Sequence, residues 1–364
     1  MDLRAFRASF PALERLVWLN TATVPPGAGP VLEAVRRALA DWERGAFSWQ
    51  DWEADAYATR GLFAGMLGVP DQTVALMSSV AEAASTVAAA LPAGKVVVGS
   101  REFHSNLYPW IALRDRGFDV VEVPHRDGVV PTDDLAAAVD EQTVLLAVTE
   151  VQSSNGYRVD VGRLAERCRE TGARLFVNLT QSLGALRFDA PAVGADFVAA
   201  HGYKWLLGVR GAAWMHVRQD RIADLLPHVP NWHTPADPYA DYYGSGQEPG
   251  PGATRLDTSF SWLPWIGSRA ALELLAGLDP AEVEARCLSL SRAFRDGARE
   301  RGFDLVPEEV PSQTVGVVVS DAGALQARLA ERSVIGAVRG GFLRLGFHAF
   351  NDETDLEAAL DALI

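Results

Sequence analysis

Short apolar runs alternate with helical patterns through the middle of the chain. Val96–Gly99, Asp119–Val123, Thr143–Thr149, Arg174–Val177 and Asp196–Ala200 are rich in β-branched and other apolar residues. Runs of this kind predict strands buried on both faces, which have no polar side to show. Between them, segments such as Asp133–Val139 and Val161–Thr171 carry apolar positions at helical spacing, as does Pro30–Trp42 nearer the N-terminus. Strand and helix in alternation predict βαβ units and a mostly parallel sheet. The pattern breaks over Pro227–Thr254, which is rich in Pro, Gly and aromatic residues. A connection that long usually has a task. Trp232, Tyr239, Tyr242 and Tyr243 predict an ordered lid over a pocket. Beyond it the chain is helix-rich, with short strands at Thr314–Ser320 and Phe342–Phe347 and a last helix from Glu353. That reads as a smaller α+β domain. The division predicted is 1–20, a segment packing on the small domain; 21–255, a large ligand-binding domain; and 256–364, the small domain.

Composition narrows the function. The chain has 364 residues, 48% of them hydrophobic and 22% charged, an ordinary globular mixture. A formal net charge of −14 repels nucleic acid and anionic membranes, so the expected partner is a small molecule. Two cysteines make no disulfide framework and point to a reducing, cytoplasmic setting. The N-terminus MDLRAFRASFPALERL lacks the apolar run of a signal peptide, and no stretch reaches the length of a membrane span. The histidines show no HExxH spacing, so no metal is expected. No GxGxxG follows a strand, and no GxSxG elbow is present.

Lysine is scarce, occurring only at Lys95 and Lys204. Arginine stays protonated and cannot serve as an amine nucleophile. Amine chemistry therefore has two candidates. Lys95 opens a strand and reads as a solvated residue. Lys204 follows an apolar strand and stands between Gly202 and Trp205. Asn178 and Gln181 follow the strand before it. Ligands of open α/β sheets sit beyond the carboxyl ends of the strands, so these three side chains can converge on one ligand.

The stretch from Ala173 to Arg218 resembles the cofactor-binding core of class V aminotransferases, the family of cysteine desulfurases, selenocysteine lyases, kynureninases and isopenicillin N epimerase-like proteins. Asn178, Gln181, Tyr203, Lys204, Trp205, Leu206, Gly208, Arg210 and Gly211 carry the likeness. It extends over nearly the whole chain: Leu19-Asn20-Thr21-Ala22 near the start, Ser78 to Ala83, Glu102 to Asn106 with Pro109-Trp110, and Arg344 with His348 and Asn351. The resemblance implies pyridoxal 5′-phosphate (PLP) as cofactor, held by Lys204 as a Schiff base. It implies an α/β fold of PLP-dependent transferase fold type I, with a seven-stranded-type, mostly parallel sheet and a small α+β C-terminal domain. By the same resemblance Ser79, Val80 and Ala81 form the phosphate turn. His104 stacks on the ring, Gln181 meets the phenolic oxygen and His201 reaches the phosphate. Ser259 or Thr258 adds a further phosphate contact, which in relatives comes from the partner subunit. Arg344 holds the substrate carboxylate, with Asn20 beside it. Gln152, Ser153 and Ser154 lie where relatives contact cofactor or substrate. A homodimer is implied.

Two departures shape the expected reaction. Asn178 stands where relatives have an Asp that keeps the ring nitrogen protonated, which argues against efficient transamination. The segment before Arg344, ARLAERSVIGAVRGGFLRLG, holds no Cys, and Cys168 and Cys287 lie on predicted helices. Persulfide-forming desulfuration is therefore not expected. The favoured reading is C–S or related lyase chemistry on an amino acid, in specialised metabolism. An aminotransferase, an epimerase and an oxidative or decarboxylative PLP enzyme are the alternatives. A PLP-binding protein with little catalysis stands behind them.

Overall fold

The chain opens on a short helix, Leu3–Ala8, and a two-residue strand, β1 (Val17–Trp18). The computed structural model describes residues 1–364. Seven strands form the main sheet: β2 (Val74–Met77), β3 (Lys95–Gly99), β4 (Asp119–Val123), β5 (Thr143–Thr149), β6 (Arg174–Asn178), β7 (Phe197–His201) and β8 (Ala213–Val217). Their order is β2-β8-β7-β6-β5-β3-β4. Strands β4, β3, β5, β6 and β7 pair in parallel, and β8 runs against both β7 and β2. The sheet is therefore mostly parallel, with one reversed strand.

The apolar runs are strands because the sheet is covered on both faces. Val97, Leu146, Val148, Leu175, Val177 and Val198 enter one core cluster, while Val96, Val98, Leu145, Ala147, Phe176 and Phe197 enter another. Neighbouring residues alternate between the two, which is the two-residue period of a strand. Each fully buried Val, Leu or Phe contributes about 1.5–3 kcal/mol from burial.

The small domain holds β9 (Thr314–Val318), β10 (Val334–Ile335), β11 (Ala337–Arg339) and β12 (Phe342–Gly346). Strands β11, β12 and β9 form an antiparallel sheet, and β10 pairs in parallel with β1. Asn20 bridges to Gly346, so the N-terminal segment is stitched to the small domain. One packing detail differs from the division at 256. The helix Trp262–Ala276 packs on the helices Gly29–Glu43 and Trp49–Leu67, and Trp265 lies edge-on to Trp214 of β8 at 5.4 Å. By packing, that helix goes with the large domain. The small domain's own core draws on Leu290 and Phe294 of the helix Pro280–Glu300.

Candidate active site

Strands β2, β3, β5, β6 and β7 point the same way, so their carboxyl ends share one edge of the sheet. Asn178 ends β6 and Thr149 ends β5, while Lys204 lies three residues beyond β7. Strand β3 leads to Glu102 and Phe103, and β2 leads to Ser79, the N-cap of the helix Val80–Ala90. Residues far apart in sequence thus meet where such sheets bind ligands.

Lys204 is 6% exposed. Its turn is closed by Leu207 N–H to Lys204 O at 3.0 Å and Gly208 N–H to Gly202 O at 2.8 Å. Leu207 is buried with φ 62, a left-handed conformation that a leucine adopts only at a cost and that recurs at functional sites. Burial and then the charges of Arg344, Arg339 and Arg210 pull the Lys204 ammonium down to about 7. The rings of Phe103 and Tyr203 lie 5.4 and 5.6 Å from its Nζ. A large share of this amine is neutral near pH 7, which makes it a competent nucleophile.

The next residue clamps the turn between the domains. Trp205 Nε1–H donates to Gln181 Oε1 at 3.1 Å. His348 Nδ1 accepts from Ala349 N–H at 2.8 Å, so its Nε2 carries the proton and donates to Trp205 O at 3.1 Å. His348 is fully buried and held neutral, its pKa pushed down to about 4 by burial. Gly346 of β12 is needed here, because a Cβ would stand 2.9 Å from the Trp205 ring. Gln181 spends its amide N–H groups on Ala22 O at 3.1 Å and Ser153 Oγ at 2.9 Å. It therefore also ties the N-terminal segment to the site.

At the start of the helix Val80–Ala90, Ser79 Oγ accepts from Glu82 N–H at 3.1 Å, and Glu82 accepts from Ser78 N–H at 2.9 Å. These contacts present the first N–H groups of an 11-residue helix at the sheet edge, where a helix favours an anion. Val80 N–H donates to His201 Nε2 at 3.3 Å. The proton of His201 then sits on Nδ1, which is buried without a partner. Burial, Lys204 and Arg210 push this imidazole down to about 4. Thr258 N–H donates to Leu76 O at 3.0 Å, and Ser259 beside it is exposed.

At the far end lies an uncharged-amide network. Asn178 Oδ1 accepts from Thr180 N–H at 2.9 Å, and its Nδ2 donates to Thr149 Oγ1 at 3.3 Å. The Thr149 hydroxyl donates to Glu102, which also accepts from Thr149 N–H at 2.6 Å and Asn106 Nδ2 at 3.0 Å. Burial raises the Glu102 carboxyl above the usual range, against these hydrogen bonds. The ring over Lys204 Nζ is that of Phe103, itself 48% exposed, while His104, also exposed, packs on Tyr108 at 4.6 Å between centroids. The geometry thus offers the neighbour of the expected stacking residue.

On the small-domain side, Arg344 of β12 is 2% exposed. Its Nη2 donates to Thr23 Oγ1 at 2.6 Å and its Nη1 to Ser153 O, while Nε has no partner. Asn20 Oδ1 nearby is also buried without a partner. Neither cysteine is poised to react. Both are buried, and burial pushes the Cys168 thiol up to about 12 and the Cys287 thiol higher still. Strands β11 and β12 are joined by Gly340 and Gly341 alone, both at positive φ (56 and 88), so no loop long enough to carry a mobile residue exists there. The aromatic segment after Pro227 packs on the helix Trp49–Leu67, through Trp232 with Trp49 and Tyr239 with Glu53, rather than over Lys204.

A family model described as aminotransferase class-V matches residues 43–322. The chain belongs to the class-V aminotransferase family. It is 27% identical to an uncharacterized aminotransferase of Bacillus subtilis, YcbU, over 98% of this chain and 96% of that one. It is 26% identical to isopenicillin N epimerase of Streptomyces clavuligerus, over 96% and 94%. Among solved structures, a lysine-to-alanine mutant of C-DES with glycine covalently linked to its PLP cofactor superposes with a TM-score of 0.87 at 19% identity, over 98% of each chain. This last likeness shows the fold, PLP-dependent fold type I. The protein is a PLP-dependent enzyme of this family. The residues present fit that cofactor: a buried amine among cations, an unpartnered His201 Nδ1 at a helix start, and an apolar ring facing the amine. Sequence reasoning missed Phe103, Thr149, Thr23 and Arg339. Phe103 alone had a signal, its place beside His104 in the quoted segment.

Proposed function

We propose that Lys204 binds PLP covalently and that the enzyme breaks a C–S or related bond of an amino-acid substrate. The observation that carries the reading is the buried Lys204 amine, depressed to about 7 among cations. When bound, PLP supplies a ring that accepts electrons released at the substrate's Cα. The chain's own groups do the rest. The Ser79–Ala81 helix start and His201 hold the phosphate. Phe103 would cover one ring face, and Asn178 would meet the ring end as a neutral amide. Arg344, with Asn20 beside it, grips the substrate carboxylate by its guanidinium fork. Lys204 would also be placed to move the proton at Cα. The neutral Asn178 disfavours transamination, and the buried thiols support a lyase that needs no cysteine. An epimerase or aminotransferase is the second reading, favoured by the full-length relatives that bear those names. We also propose a homodimer, supported by exposed Tyr242 and Tyr243 and by the exposed Ser259; an active, PLP-loaded monomer in sedimentation would refute it. The deciding experiment offers cysteine conjugates and common amino acids to the purified protein and weighs the products. Released thiol with ammonia supports the lyase. A keto acid with aminated cofactor replaces it with a transaminase.

A further inference from the structure

The hairpin that carries Arg344 carries a second guanidinium on the same face. In the β11–β12 ladder Ala337 faces Arg344 and Arg339 faces Phe342. Residues two apart on a strand share a face, so Arg339 and Arg344 lie side by side in successive same-face pairs. Both reach one hydroxyl: Thr23 Oγ1 accepts from Arg344 Nη2 at 2.6 Å and meets Arg339 Nη2 at 3.5 Å. A third arginine faces the turn, for a Cβ on Gly340 would lie 3.5 Å from Arg101 Nη2. The two-residue Gly340-Gly341 turn holds Arg339 beside Arg344, where a longer loop would let it swing away.

None of these three guanidiniums has a carboxylate partner. The chain has 47 acidic and 33 basic residues, so acids were not lacking. Elsewhere its buried arginines are paired, Arg60 with Asp257 at 2.6 Å and Arg295 with Glu308 at 3.0 Å. Like charges side by side on one sheet face are destabilising. The buried Arg344 Nε, without a partner, shows that the group is not satisfied from within. One carboxylate would occupy the buried Arg344. Arg339 and Arg101 stand nearer solvent, around the turn, and remain for a second anion.

We propose that Arg339 and Arg101 form a subsite for a second carboxylate, so that the substrate is a dicarboxylic amino acid or a conjugate ending in an acid. This rests on the reading of Arg344 as the clamp for the substrate's first carboxylate. The test uses dicarboxylates that cannot react. The purified holoenzyme, its cofactor content measured first by borohydride trapping at Lys204, is titrated calorimetrically with succinate, glutarate, adipate and, as the single-acid control, butyrate. At least one dicarboxylate is expected to bind ten-fold or more tightly than butyrate. Arg339→Gln is expected to erase that advantage and leave butyrate unchanged, and Arg344→Gln to weaken all four. If no dicarboxylate exceeds butyrate, or Arg339→Gln weakens butyrate and dicarboxylates equally, the subsite does not exist. Trapped cofactor with no dicarboxylate preference sinks the subsite alone. Failure to trap cofactor at Lys204 sinks the broader reading instead.

Discussion

Two buried polar regions of this protein are built on opposite principles. Around Lys204, cations gather without anions: Arg344, Arg339 and Arg210 surround the amine, and Arg344 Nε and His201 Nδ1 lack partners. Beneath the aromatic segment that follows Pro227, the buried carboxylates have their donors. Asp257 takes Arg60 at 2.6 Å and Leu76 N–H at 2.8 Å, and Glu53 takes Tyr239 Oη–H at 2.7 Å. The second region pairs its buried carboxylates within the fold, although His233 Nε2, 3.5 Å from Glu53 Oε1, lacks a hydrogen-bond partner. The first leaves buried donors unpaired and gathers cations without a carboxylate partner, the arrangement that the proposed ligands would complete. Both regions reach the same sheet edge, since Asp257 holds β2 just before the Ser79 turn. The paired network thereby stiffens one side of the unpaired one.

The comparison can be broken most sharply at Lys204. Lys204→Ala should abolish covalent cofactor attachment and lower turnover by about a thousand-fold or more, as loss of the group that moves the proton does. Mass analysis after borohydride reduction checks attachment; an adduct elsewhere would overturn the assignment. Next comes the paired region. Asp257→Asn leaves Arg60 buried without its anion and should cost about 3–5 kcal/mol in urea unfolding. Stability unchanged within error would mean that the Arg60–Asp257 pair does not anchor β2. A third test reads pH. Because the folded protein disfavours the charged amine, apoprotein should capture added PLP faster as pH rises toward about 7 and level off above it. An ordinary lysine would keep gaining to beyond pH 10. Continued gain to that point would mean that Lys204 is solvated. Asn178→Asp is the next smaller effect. A carboxylate there should alter the pH dependence of bound-cofactor absorbance and raise transamination about ten-fold, or ~1.4 kcal/mol. If both stay as in the wild type, the neutral ring end has no chemical consequence. Tyr239→Phe should be smallest, losing one hydrogen bond of a side chain that is 40% exposed, about 0.5 to 1 kcal/mol. Turnover should be unmoved, since the Tyr239 hydroxyl is bonded to Glu53 and not to the site.

The strands were legible because burial on both faces leaves a compositional mark: Val96, Val97 and Val98 need no knowledge of their neighbours to read as a core strand. Lys204 was legible for a chemical reason. Where arginine replaces lysine almost everywhere, the lysine that follows an apolar strand stands out. Asn178, Gln181, His201 and the Ser79 turn were expected from the order of motifs along the chain, and strand polarity brings them to one edge of the sheet. The ring that faces Lys204 was another matter. Phe103 and His104 are adjacent, both flat and both exposed, and only the start of the helix His104–Ile111 decides which ring lies by the amine. The packing of the aromatic segment was likewise invisible, because aromatic content marks order without naming what the rings pack on.

The sequence by itself determined the α/β class, the strands, the amine and the absence of a usable thiol loop, since each depends on residue type or on spacing within one segment. Tertiary structure alone decided which charges meet. Arg339 and Arg344 become neighbours through the register of a hairpin, Thr23 joins them from the N-terminal segment, and Glu102 comes behind Asn178 through Thr149. Electrostatic character depends on distances in space, and a linear chain records residue types but not those distances.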